Sequence, residues 1–107
     1  MTTFFRIQNP NITLEQMQQF TSADGGDDLG KEVGGICACD SVASLLNNTA
    51  FSTKWGLEVV VFKAQKLGAI YDGWRVYPTR IVDRIDAGEF FALSKDGDSK
   101  IYEYENQ

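Results

Sequence analysis

The sequence predicts a single α+β domain over residues 1–107: a small mixed, mainly antiparallel sheet of five or six strands, two or three short helices and a C-terminal hairpin. Three observations predict it. A chain of 107 residues suits one core, and no linker or internal repeat divides it. Short aromatic and β-branched runs recur, the clearest being Val59-Val60-Val61-Phe62. Between them stand two helix-opening signatures, a Thr or Asp followed three residues later by Gln or Glu.

Thr3-Phe4-Phe5-Arg6-Ile7-Gln8 reads as the first strand, stopped by Asn9-Pro10. Thr13 to Gln16 is a capping box, and Leu14, Met17 and Phe20 continue it at helical spacing. Residues from Thr21 to Gly35 form a Gly- and Asp-rich acidic stretch, read as a long mobile loop, either a lid or a plain surface loop. Its glycines match neither a P-loop nor a dinucleotide fingerprint, and its carboxylates repel phosphate. Ile36 to Cys39 is a buried strand leading to a helix over Val42, Leu45 and Leu46, capped by Asp40 or Ser41 and ended by Asn47-Asn48.

Leu57 to Lys63 is a central strand, because its apolar run suits burial on both faces. Trp74 to Pro78 and Arg80 to Ile85 follow, with Pro78 breaking the ladder as an edge or bulge residue. Asp86-Ala87-Gly88-Glu89 opens one helical turn around Phe90 and Phe91. Lys95-Asp96-Gly97-Asp98, lying between Phe91-Ala92-Leu93 and Ile101 to Tyr104, reads as the turn of the hairpin.

Composition excludes several functions. Ten Lys and Arg against fifteen Asp and Glu leave a net charge of −5, with no His. Direct nucleic-acid binding, which needs clustered cations, is not expected. Any His-activated nucleophile, His-ligated metal or His pH switch is excluded. Cys37 and Cys39 cannot complete a zinc site without further Cys or His, and they read as small buried residues of a strand. Asp96-x-Asp98 fails the calcium-loop pattern, so no metal site is expected. No membrane-length apolar run and no signal-like start are present, so the expected location is cytoplasmic.

Arg6 draws attention because a guanidinium within an apolar strand needs a partner. An internal carboxylate, Asp40, Asp72 or Asp83, would serve structurally; a nucleotide or other anion would serve functionally. Ser41 and Ser44 read as capping residues, and Tyr71, Trp74 and Tyr77 as the margin of a core or a stacking surface.

The order of Phe4-Phe5-Arg6-Ile7, the Ser-bearing strand-to-helix element Ile36 to Leu46, Val59 to Phe62 and Val76-Tyr77-Pro78 with the Ile81-Val82 that follows it resembles a minimal mono-ADP-ribosyltransferase-like domain. The resemblance implies that Arg6 holds the phosphate and ribose of NAD and that Ser41 positions the nicotinamide ribose. The family's catalytic Glu stands just before the apolar pair preceding Pro. Here Asp72, Gly73, Trp74 and Arg75 occupy that region, and Asp72 is the one carboxylate available to substitute. It stands early, which in a strand changes depth and face. A cationic sugar carbon would lose its main electrostatic stabilisation, so the resemblance implies a degenerate scaffold. No cofactor is expected unless the chain is an enzyme, in which case it is NAD.

The expected function is therefore binding. Asp24, Asp27, Asp28, Asp96 and Asp98, together with Glu103 and Glu105, would present an acidic surface to a basic protein or nucleoprotein complex. In charge and size the chain resembles phage-borne inhibitors of host defence systems, including anti-CRISPR proteins, a likeness of type rather than of motif.

Overall fold

The computed structural model describes residues 2–19, 35–47, 56–70, 73–97 and 99–106. The stretch 21–34 of the expected acidic loop lies outside the described residues. Strands β1 (Thr2–Gln8), β2 (Ile36–Ala38), β3 (Glu58–Ile70) and β4 (Gly73–Asp86) form one sheet in the order β1-β3-β4-β2. Helices α1 (Leu14–Gln19), α2 (Val42–Leu46), α3 (Ala87–Lys95) and α4 (Ser99–Glu103) precede a closing 3-10 turn, Tyr104–Asn106. The α+β class is as expected. Among the described residues the sheet has four strands rather than five or six, every pairing is antiparallel, and there are four short α-helices.

Two local causes account for the difference. The first is Pro78. Lys63 pairs with Arg80 and Ala64 with Pro78, so Thr79 is the extra residue of a β-bulge. Thr79 Oγ1 donates to the Lys63 carbonyl at 3.1 Å. A bulge tolerates the missing proline N–H, so the two runs flanking Pro78 form one strand, β4. The second is the expected C-terminal hairpin, which is a helical pair instead. Asp86 accepts from the Glu89 N–H at 3.1 Å and opens α3, which continues for nine residues instead of one turn. Gly97, read as a hairpin turn, adopts φ +69° just past the helix and donates to the Ser94 carbonyl at 3.2 Å. That is the left-handed glycine of a helix C-terminus. A Gly after a polar pair suits both motifs, and only the packing of Phe90, Ile101 and Tyr104 onto the sheet selects the helical one.

β3 is central, as its sequence requires. Val59, Val60, Val61 and Phe62 are fully buried, and each face of the strand meets its own core. On one face Phe5, Val59 and Val61 lie beneath Val42, Leu45, Phe90, Ile101 and Tyr104 of the helical layer. On the other, Phe4, Val60, Phe62 and Val76 pack with Ile36, Ala38 and Met17 of α1. Burying each of these Phe and Val side chains contributes about 2 kcal/mol, so the two cores together hold the chain. The capping box forms as expected: Thr13 N–H donates to Gln16 Oε1 at 2.8 Å, and Gln16 N–H to Thr13 Oγ1 at 3.1 Å.

The sheet also closes on itself. Phe5 N–H donates to the Cys39 carbonyl at 2.8 Å, and Cys39 N–H to the Phe5 carbonyl at 2.9 Å. In an antiparallel strand both polar groups of one residue point to the same side, so this bridge uses the edge of β1 opposite β3. Residues past β2 thereby return to β1.

Candidate functional site

That seam is where the sequence places Arg6 and Ser41. Arg6 lies on β1 on the same face as Phe4, half-buried, and its Nη1 donates to the Cys37 carbonyl at 2.8 Å. Cys37 stands two residues before Cys39 and presents its carbonyl to the same edge, so the guanidinium extends the seam beyond its backbone bridge. Two of the three carboxylates considered for Arg6 are engaged elsewhere. Asp40 Oδ2 accepts from the Trp74 indole N–H at 3.0 Å. Asp83 accepts from the Tyr104 hydroxyl and, at 2.7 Å, from the Arg84 N–H. Asp72, the third of them and the substitute catalytic carboxylate, lies outside the described residues.

Ser41 is the N-cap of α2. Its Oγ accepts from the Ser44 N–H at 3.1 Å and bonds to Ser44 Oγ at 2.9 Å. Glu105 reaches the same helix end, where its Oε1 accepts from the Val42 N–H at 2.5 Å. The first turn is thus capped twice, by its own residue and by the C-terminal turn. Asp40, the other capping candidate, serves the indole instead. A hydroxyl that accepts a backbone amide has one lone pair fewer for a sugar.

Of the expected partner-binding carboxylates, Asp96 is exposed at the C-terminus of α3, where its N–H donates to the Ala92 carbonyl at 3.2 Å. Asp24, Asp27, Asp28 and Asp98 lie outside the described residues. The helical layer also exposes Glu89 on α3, Glu103 on α4 and Glu105 on the last turn. Among the described residues no three His, Cys, Asp or Glu side chains gather as metal ligands. Arg84 joins Glu58 and the Ile12 carbonyl, a cation spent on tying β4 to β3 and to the turn before α1.

The cations of the hairpin escape the net-charge reading. From Val59 to Val82 the sequence has Lys63, Lys66, Arg75 and Arg80 against Asp72 alone. Lys66 and Arg80 are exposed, and the Lys66 ammonium sits 3.9 Å from the centre of the Trp74 ring. The signal was in the sequence, in a charge count by segment rather than over the whole chain. Comparison of the chain with protein-family models, with curated proteins and with solved structures finds no match.

Proposed function

We propose that this chain is a non-catalytic protein-binding module, on a scaffold resembling a degenerate ADP-ribosyltransferase, whose acidic surface engages and masks a basic partner. The partner's chemistry is that of a nucleic-acid-handling protein or nucleoprotein complex, such as a host defence complex. The observation that carries the reading is the helical layer, which exposes Glu89, Asp96, Glu103 and Glu105 on the C-terminal part of the chain. Residues 83–107 hold seven carboxylates against three cations, Arg84, Lys95 and Lys100. Such a surface steers toward a cationic groove, with a rate that falls as salt rises. The binding reading is also favoured by the structural employment of Arg6 in the seam and of Ser41 at a helix cap.

Affinity purification from a lysate at low and at high salt tests the proposal. A basic partner is retained at low salt and released at high salt. Retention drops when Glu89, Asp96 and Glu103 are neutralised together with Asp24, Asp27, Asp28 and Asp98. Unchanged retention in that variant sinks the acidic-surface mechanism. Incubation with labelled NAD is the second arm, and label transfer lost on Asp72→Ala would establish the enzymatic alternative, mono-ADP-ribosylation of a protein target.

A further inference from the structure

We infer that the far half of the β3–β4 hairpin is a second docking surface, whose occupant is an extended acidic segment of a partner protein bearing apolar side chains. This inference is independent of the acidic helical layer. It starts from one sheet face that has two unequal parts. Along β3, Val59 and Val61 lie under the helices, while the same face continues through Lys63 and Gln65. Lys63 stands opposite Arg80, and Gln65 stands opposite Tyr77. Among the described residues no helix packs there, and Tyr77 is 39% exposed.

Two glycines shape this part. Leu67 is the extra residue of a bulge, since Lys66 pairs with Val76 and Gly68 with Arg75. A methyl group on Gly35 would stand 2.7 Å from Leu67 Cδ1 and 3.0 Å from Arg75 Cγ, so these two side chains converge over Gly35. A methyl on Gly68 would stand 3.4 Å from Arg75 Nη2, which places the guanidinium across that glycine. Leu67 remains 42% exposed. Leu67 and Tyr77 are the exposed large apolar residues of the described structure; Arg75 shares their face beside Leu67, and Arg80 lies further along it opposite Lys63, while Lys66 turns to the other face over Trp74.

Among the described residues the edge beside them is open as well. β1 pairs with β3 only from Glu58 to Ala64, so among the described residues no strand pairs with the β1-side edge of Gln65–Ile70. Open backbone groups, two apolar anchors and a cationic rim together suit a short extended peptide with alternating acidic and apolar side chains. A polynucleotide suits them less. Its phosphates would meet Arg75 and Arg80 locally and the field of a chain with net charge −5 beyond them. A second copy of the chain is the other occupant with complementary charge, through its acidic helices.

The test is fluorescence anisotropy with a labelled peptide of alternating Glu and Leu, alongside its Lys-and-Leu counterpart and a labelled oligothymidylate. The Glu-containing peptide is expected to bind saturably at low salt and more weakly as salt rises, and to be preferred to both other probes. Tyr77→Ala and Arg80→Glu should each weaken it about tenfold, with circular dichroism unchanged. Glu103→Gln should leave it unaltered, which separates this surface from the acidic one. The salt titration of the unmodified chain needs no variant and stands if either variant misfolds. Absence of binding, tighter binding of the oligothymidylate, or affinity indifferent to both substitutions overturns the inference. So does sedimentation that shows a hairpin-dependent dimer in place of peptide binding.

Discussion

The near and far halves of the β3–β4 hairpin are the same two strands put to different uses. The near half, through Phe62, has β1 alongside it, α1 over one face and α2 to α4 over the other, and Val59 to Phe62 of β3 are fully buried. The far half keeps Ala64 and Val76 in the core beneath α1, β2 against Trp74 to Val76, and local contacts such as Lys66 over Trp74, but among the described residues no helix covers its Gln65–Tyr77 face. Ala64 and Val76 anchor the far half from the α1 side, so its other face is free to carry exposed apolar and charged groups. Stability and recognition are thus separated along one hairpin.

Truncating one side chain on each half separates the two roles. Phe62→Ala removes a fully buried ring packed 6.2 Å, centre to centre, from Phe4, and should cost about 3–5 kcal/mol. Tyr77→Ala on the far half should change stability by no more than about 0.5 kcal/mol. Urea unfolding of both variants decides it, and comparable losses would show that the far half belongs to the core. Amide exchange gives the same contrast without substitution: Val60 and Val61 should be among the slowest positions, and Gln65 to Ala69 much faster.

The next effect concerns the seam with β2. A methyl group on Gly73 would stand 2.4 Å from the Ala38 carbonyl oxygen, a backbone atom that cannot turn aside. Gly73→Ala should therefore force β2 and β4 apart at a cost of about 2–3 kcal/mol, within the range of overpacked sites. Gly56 precedes the near half at φ +79° with nothing within 4 Å, so Gly56→Ala should cost only the left-handed strain, about 1 kcal/mol. Equal thermal shifts for the two would mean that strand spacing at Gly73 adjusts freely.

What the sequence disclosed follows the same division. The near half was legible because burial on both faces leaves a continuous apolar run, Val59 to Phe62, and because capping boxes at Thr13 and Asp86 are local chemistry. Of the far half, only the β4 side, Trp74 to Pro78, was legible. Ala64-Gln65-Lys66-Leu67 has no strand alternation, and it is extended because β4 pairs with it across a bulge. Pro78 looked like a break for the same reason. At the candidate site, the capping role of Ser41 was readable from its position before an apolar helix. The partner of Arg6 was not, because a backbone carbonyl brought close by the Phe5–Cys39 bridge leaves no trace in residue type.

Ser41 gives a smaller but more pointed effect. As the N-cap of α2, it should cost about 1 kcal/mol when replaced by Ala, with Thr restoring most of the loss. Thermal unfolding measures this, and titration with NAD under the same conditions separates it from ligand binding. A Ser41→Ala protein of unchanged midpoint, in a chain that NAD stabilises, would move Ser41 from the helix cap to the nucleotide site.

The smallest effect at neutral pH is the one attached to Tyr104, a residue of the covered half. Its hydroxyl donates to Asp83 on β4, and that hydrogen bond, followed by burial and the negative charge of Asp83, pushes its pKa up from 10.0 to about 12. The phenol is neutral when protonated, so a raised value means that the folded state holds this proton more tightly than the unfolded one. The resulting stability is fully present below pH 10 and is lost as pH rises toward about 12. Tyr104→Phe removes the bond at all pH values, at a cost of about 1 kcal/mol near neutrality, and removes this part of the alkaline slope. Urea midpoints of the two proteins should therefore differ most at neutral pH and converge as pH rises above 10. A gap that stays constant through that range would show that the Tyr104 proton is not held by Asp83, and that the helical layer is anchored to the near half of the sheet by apolar packing alone.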